Sequence, residues 1–286
     1  MSVRPFFDIP LAGGRMLELG RRPLVMGILN ITPDSFGDAR PLDRHTAVDA
    51  ALAMEAQGAD LIDIGGESTR PGADPVDART ELERVLPVIE GLQGRLRIPI
   101  SVDTYKAAVA DKAIDAGAHM VNDVSGLQYD PPLAEVVARR GAALVLMHTR
   151  GRSKDMYGES EYTDVIGEVT AELRTSMEAA MAAGVPRTSI LVDPGVGFAK
   201  RPVHSYGVLA RLPEIAAALS RPILVGPSRK SFLRAASGGA EAPARDWPTA
   251  AAVTAAVLGG AHIVRVHAVA EMVQVVRAAE EIRQAR

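Results

Sequence analysis

Short runs of Val, Ile and Leu recur along the chain, separated by longer stretches whose apolar residues fall three or four positions apart. The short runs predict eight strands, at 24–29, 60–64, 98–102, 119–122, 143–147, 189–192, 222–225 and 262–266. The longer stretches predict helices, among them 46–57, 80–92, 106–116, 132–139, 164–183, 250–258 and 270–283. Most of the strands are apolar on both faces, which suits a parallel sheet covered by helices. Eight strands alternating with helices favour closure, so the expected fold is α/β, a (β/α)₈ barrel. Gly58, Gly117, Gly141 and Gly184 each follow a helical stretch directly and read as helix ends with positive φ. Residues 1–22 precede the first strand and predict a small β-hairpin over the bottom of the barrel. The Gly-, Ala- and Pro-rich stretch 237–248 reads as a surface loop. No linker or low-complexity tract divides the chain, so residues 1–286 are read as one domain.

A second pattern overlays the first. Each strand run ends in polar residues on its C-terminal side: Asn30, Asp63 to Glu67, Asp103, Asn122 with Asp123, His148, Asp193, Ser228 to Lys230, and Arg265 with His267. One such residue is an ordinary strand-end cap. The same arrangement in every unit points to a shared mouth, where the active sites of such barrels form. Asp103, Asn122 and Asp193 offer a carboxylate–amide set that fits a flat heterocycle rich in N–H donors. Arg70, Lys230, Arg265 and His267 offer cations or N–H donors that fit phosphate.

Composition narrows the chemistry. The chain has no cysteine, which excludes disulfides, thiolate metal sites and thiol nucleophiles. Its net charge of −3 gives no global basic field for nucleic acid. No apolar stretch is long enough to read as a membrane span, and the first residues lack the apolar core of a signal peptide, so a cytoplasmic location is expected. Neither a Walker loop nor a Gly-x-Gly-x-x-Gly motif follows a strand. The histidines at 45, 119, 204 and 262 show no metal-ligand spacing and read as surface or packing residues. His148 reads as a structural hydrogen-bonding residue, Glu67 as a loop anchor, and Arg229 as an ion-pair partner. Val145 and Met147 read as barrel filling.

Seven segments, in order, resemble the signatures of the dihydropteroate synthases, a family of pterin-binding TIM-barrel enzymes. They are Met26 to Phe36 (MGILNITPDSF), Asp63 to Gly72 (DIGGESTRPG), Ser101 to Thr104 (SVDT), Val121 to Ser125 (VNDVS), Asp193 to Phe198 (DPGVGF), Ser228 to Ser231 (SRKS), and Arg265 to His267 (RVH). The resemblance implies a transferase of folate biosynthesis that joins a pterin methyl diphosphate to p-aminobenzoate. It implies that Asp103, Asn122, Asp193 and Lys230 hold the pterin ring. Asn30, Thr69, Arg265 and His267 would bind the diphosphate, with Asn30 also a ligand of Mg²⁺. Phe36, Arg70, Pro71 and Ser231 would shape the site for p-aminobenzoate, the substrate that a sulfonamide mimics. Asp38, Lys230 and Arg70 would be the catalytic group, Asp38 by stabilising the cation or taking the amine proton. The resemblance also implies a homodimer, formed through late helices such as 250–258 and 270–283, and no nucleic-acid or membrane partner.

The chain departs from the family at two places. The first loop runs Ser35-Phe36-Gly37-Asp38-Ala39-Arg40, where relatives often carry Ser-Phe-Ser-Asp-Gly-Gly. Ala268 follows His267, where relatives often carry Asp. Two other functions fit parts of the pattern. A methyltetrahydrofolate-dependent methyltransferase would keep the Asp and Asn contacts but would not need the Thr-Arg-Pro-Gly and Ser-Arg-Lys-Ser segments. A catalytically dead barrel that binds pterin or a protein partner would have no use for Asn30, Arg265 and His267.

Overall fold

A computed structural model describes residues 4–32, 44–70, 72–152, 158 and 160–285, without the side chain of Pro243. The chain opens with an antiparallel hairpin, β1 (Phe7–Leu11) and β2 (Arg15–Leu19), turned by a 3₁₀ segment in which Gly13 and Gly14 take positive φ. The barrel strands follow: β3 (Leu24–Asn30), β4 (Leu61–Gly65), β5 (Ile100–Asp103), β6 (Met120–Asp123), β7 (Ala143–Met147), β8 (Ile190–Asp193), β9 (Leu224–Val225) and β10 (Ile263–Val266). All neighbours in this sheet are parallel, in the order β8-β7-β6-β5-β4-β3-β10-β9. An isolated bridge from Val192 to Ile223 joins the two ends and closes the ring. The eight expected strands are therefore present, each within two residues of its expected start and end.

Alternation along the strands divides the apolar residues between two cores. Val25, Ile62, Ile64, Val102, Val121, Leu144, Val192, Val225 and Val264 point outward and pack under the helices. These helices are α1 (Arg44–Ala56), α2 (Ala78–Leu92), α3 (Ala107–Asp115), α4 (Leu133–Arg140), α5 (Val165–Ala182), α6 (Pro202–Ala210), α7 (Leu212–Leu219), α8 (Asp246–Leu258) and α9 (Val269–Gln284). Met26, Leu61, Met120, Ala143, Val145, Leu191, Leu224 and Ile263 point inward. Ile9, Leu11, Leu17 and Leu19 of the hairpin pack onto that inner set, and the Ala12 N–H donates to the His119 carbonyl. The hairpin thus plugs the N-terminal end of the barrel with side chains. The four glycines read as helix ends all have positive φ.

One expectation needs correction. Residues 237–248 are not simply a loop: a 3₁₀ turn spans Ala242–Arg245 and α8 already starts at Asp246. Pro248 therefore sits in the first helical turn, where its missing N–H would have had no intrahelical partner.

Candidate active site

The inward positions change character along each strand. Two residues beyond the apolar layer, about 6–7 Å further up, Leu61 gives way to Asp63, Met120 to Asn122, Leu191 to Asp193 and Ile263 to Arg265. On β5, Ser101 and Asp103 are both buried. The C-terminal half of the interior is thus polar, at the end of the barrel opposite the hairpin.

These groups meet across the barrel. The Arg265 Nε–H donates to Asp63 Oδ2 at 2.5 Å, and a terminal guanidinium nitrogen donates to Asp103 Oδ2 at 2.6 Å. The Asn122 amide donates to the same Asp63 oxygen at 2.9 Å. Burial pushes Asp103 up to about 7, against the pull of Arg265 and with the push of Asp63. Burial also raises Asp193, opposed by Lys230, the Gly195 N–H, Lys200 and Arg265. The Lys230 ammonium donates to the Val196 carbonyl at 2.7 Å and lies 4.2 Å from the centre of the Phe198 ring. Burial lowers it to about 8, with Asp193 opposing. Tyr105, Val124 and Met147, with Tyr129 and Phe198 against them, add an apolar cluster. Two carboxylates, an amide and an ammonium beside apolar surface can hold a flat, polar heterocycle by its edges and faces.

The phosphate-type groups lie on the β10 side. The Ser228 hydroxyl accepts the His267 backbone N–H at 3.2 Å and lies 2.9 Å from His267 Nδ1. Burial, together with Arg265, Arg229 and Arg70, lowers His267 to about 3, so its ring is neutral. With the Ser228 hydroxyl donating to Nδ1, the ring proton sits on Nε2 and is available to an anion. Arg70 is exposed and close enough for its charge to act on His267. Thr69 is half-buried beside it. Their loop is anchored at its base, where the Lys106 ammonium donates to Glu67 and to Glu81, each at 2.5 Å. Tyr105 Oη–H and the Val76 N–H also donate to Glu67. That is the anchoring role expected of Glu67. Ser231 is exposed at the start of the 3₁₀ turn Ser231–Leu233. Asn30 ends β3 opposite Gly65, where an added Cβ would lie 3.6 Å from Asn30 Oδ1 and 3.3 Å from the Asp103 Cβ.

Asp103, Asn122, Asp193, Lys230, Arg265 and His267 are thus gathered at one mouth, with Asn30, Thr69, Arg70 and Ser231 on the segments around it. Phe36, Asp38 and Pro71 lie outside the described residues. Two interior residues were given no role from sequence. Asp63 joins Arg265 to Asn122; its signal was its parity with Leu61, inward by alternation. Lys200 is fully buried, and nothing local marks it as different from a surface lysine. The plainer readings agree with the contacts. Arg229 makes a two-point ion pair with Asp246, and His119 and His262 each accept a backbone N–H. Among the described residues no group of three or more His, Cys, Asp or Glu could hold a metal ion by itself.

The pterin binding enzyme family matches residues 26–267. The dihydropteroate synthase of Synechocystis sp. is 44% identical over 283 residues, covering 98% of each chain. The chain belongs to the dihydropteroate synthase family. Two solved members superpose on it closely. The Yersinia pestis dihydropteroate synthase, in complex with a sulfonamide drug, has a TM-score of 0.90 and 41% identity over 96% of this chain and 98% of that one. The Burkholderia cenocepacia enzyme, in complex with 7,8-dihydropteroate, has a TM-score of 0.86 and 41% identity over 98% and 99%. As a dihydropteroate synthase family member the chain is a transferase of folate biosynthesis. Among the described residues no helix is long and apolar enough to cross a membrane.

Proposed function

We propose that the barrel mouth condenses 6-hydroxymethyl-7,8-dihydropterin diphosphate with p-aminobenzoate, giving 7,8-dihydropteroate and diphosphate. The observation that carries this reading is Arg265, part-buried in the mouth and bridging the buried Asp63 and Asp103 with Asp193 nearby. Such an arrangement joins an acceptor-rich pocket to a cation within one side chain's span. Asp193 and Asn122 take the pterin's N–H edge, Asp103 adds an acceptor, and Lys230 donates to the carbonyl side. Arg265, whose guanidinium has five N–H donors, serves the diphosphate with those not used by the carboxylates. Thr69 and the Nε2–H of His267 complete the diphosphate contacts.

The carbon–oxygen bond to diphosphate breaks with both electrons leaving on oxygen. Positive charge then develops on the methylene and the pterin ring, where the carboxylates of Asp103 and Asp193 stabilise it. The fixed donors stabilise the departing anion without reorganising. The arylamine lone pair of p-aminobenzoate forms the new carbon–nitrogen bond and the amine loses a proton. Asp38 is assigned to the cation or to that proton. Phe36, Arg70, Pro71 and Ser231 shape the p-aminobenzoate site, which a sulfonamide would share.

Magnesium fits this mouth as a shared ion. Asn30 offers one neutral oxygen beside the acidic interior, and Mg²⁺ is commonly held by few protein ligands together with phosphate oxygens and water. When bound, it supplies charge neutralisation for the diphosphate. The reading includes a cytoplasmic enzyme, in keeping with a chain that has no cysteine. It also includes a homodimer. Trp247 at the start of α8 is 87% exposed, and α6, which packs on α8, exposes Val203 and Tyr206. Trp247→Glu is expected to halve the mass seen by sedimentation equilibrium; an unchanged mass would remove α8 from the interface.

The decisive assay mixes purified protein with Mg²⁺, the pterin diphosphate and p-aminobenzoate, and follows diphosphate and pteroate together. Equimolar release is expected. Folded protein that forms neither product would overturn the proposed reaction.

A further inference from the structure

The mouth rests on a buried lysine that takes no part in the chemistry above. Lys200 lies in the turn between β8 and α6, and its side chain is among the largest wholly buried ones in the described protein. Its ammonium has three donors and meets three acceptors: His148 Nδ1 at 2.7 Å, the Gly195 carbonyl at 3.2 Å and the Phe198 carbonyl at 3.2 Å. We propose that Lys200 is a positioning residue, which with His148 clamps the Gly195–Phe198 turn and so fixes the pterin-facing groups that this turn carries.

Each link is visible. The Gly195 N–H donates to Asp193 Oδ1 at 2.7 Å, so the residue whose carbonyl Lys200 holds also tethers the Asp193 carboxylate through its N–H. Val196, next along, presents its carbonyl to Lys230, and Phe198 places its ring 4.2 Å from the same ammonium. The turn and the residue after it use left-handed backbone, which glycine adopts freely and Ala199 adopts at a cost. Gly195 and Gly197 have φ of 66° and 79°, and Ala199, an L-residue with a Cβ, has φ of 45°. A Cβ on Gly195 would lie 1.9 Å from the His148 carbonyl oxygen. Conformations of this kind persist where surrounding contacts over-determine them.

The ammonium also decides the state of His148. Facing Lys200, Nδ1 is an acceptor, so the ring proton sits on Nε2 and is donated to Glu172 Oε2 at 3.0 Å. Burial and the Lys200 charge hold the ring neutral, down to about 4. Arg150 grips Glu172 in turn and reaches Glu168, tying the clamp to α5. Three basic groups face Asp193 from three elements: Lys230 after β9, Arg265 on β10 and Lys200 after β8, which burial pulls down to about 7 with Asp193 opposing. Removing Lys200 therefore loosens the turn and also takes away part of what keeps Asp193 ionised.

This role rests on the reading that Asp193 and Lys230 hold the pterin. The test is Lys200→Met in the full chain, with binding of the pterin diphosphate by calorimetry, steady-state kinetics against pH, and thermal unfolding. The KM for the pterin diphosphate is expected to rise about tenfold or more, one tenfold step being about 1.4 kcal/mol. The KM for p-aminobenzoate stays within about twofold, by the independence of separated sites. The acid limb of kcat/KM for the pterin substrate moves to higher pH, which a merely structural loss would not produce. His148→Gln, whose amide can accept from Lys200 and donate to Glu172, retains most pterin affinity, whereas His148→Leu loses it. A folded Lys200→Met protein with unchanged pterin KM and acid limb overturns the proposal. If that variant does not fold, equal pterin affinity in the two His148 variants overturns it. Unmodified protein that binds no pterin diphosphate overturns the functional reading as well; normal binding with an indifferent Lys200 overturns only this one.

Discussion

The two halves of the barrel interior are built on the same strands with the same alternation, yet they do opposite things. The lower half, Met26, Leu61, Met120, Leu191, Leu224 and Ile263, is closed by the hairpin's Ile9, Leu11, Leu17 and Leu19. It contributes stability through apolar burial. The upper half, one inward position higher, holds the buried Asp63, Asp103, Asn122 and Asp193 with the part-buried Arg265, which joins Asp103 to Asp63 and, through Asp63, to Asn122. Asp63 Oδ1 and Ser101 Oγ are buried there without a hydrogen-bond partner. Burying charges costs more than their mutual attraction returns unless every partner is in place. Apolar support and the polar mouth are thus separated by height in the barrel, along single strands, rather than by domain.

Substitutions at the two heights should behave differently. The largest effect is expected for Arg265→Met. It removes the donor that the proposed reaction gives the diphosphate, with an expected fall in kcat/KM of about 100-fold or more. It also strands two buried carboxylates, at about 3–5 kcal/mol in denaturant unfolding. Activity within a few-fold of the unmodified protein would break the division between the halves. Below the mouth, Leu191→Ala should cost about 2–5 kcal/mol by the same unfolding measurement, while the KM values for both substrates stay unchanged. A selective rise in pterin KM would show that the lower layer sets the geometry of the upper one.

The smallest effect sharpens the comparison through pH. As pH falls below about 7, Asp103 takes a proton and loses both an acceptor for the pterin and its charge opposite Arg265. As pH rises above about 8, Lys230 loses its proton and its donor strength. The kcat/KM for the pterin diphosphate should therefore be bell-shaped, with limbs belonging to the coupled set of charges rather than to one residue. Asp103→Asn should displace the acid limb, and Leu191→Ala should leave the profile alone. A flat profile would contradict the burial of ionised groups at the mouth.

Much of this was legible in the chain. Strand positions follow from apolar runs, and the family from seven ordered segments at strand ends. The helices read from periodicity agree with α1 to α5, α8 and α9 to within about four residues at their ends. They did not include α6 and α7, two short helices that meet at Arg211, each with Pro in its first turn. The start of α8 was hidden for a similar reason: Gly238, Gly239 and Pro248 read locally as loop residues, while Pro248 stands where a helix tolerates it. Asn122, Asp193 and Lys230 could be singled out because their motifs are contiguous. Asp63 and Lys200 could not be given roles, because Asp63 meets Asn122 and Arg265 from distant parts of the chain and Lys200 is buried against His148, 52 residues away.

Local patterns of hydrophobicity and motif fix which residues are strand, which strand ends are polar, and the chain's membership of the dihydropteroate synthase family. Which charges meet depends instead on how the ring closes. Asp63 and Arg265 are 202 residues apart, and closure of the ring brings them within hydrogen-bonding distance. Lys200 is wholly buried because the folded chain brings His148, itself bonded to Glu172 of α5, against its ammonium. Pairing of that kind depends on burial and on distance across the barrel, and neither is a property of any short stretch of chain.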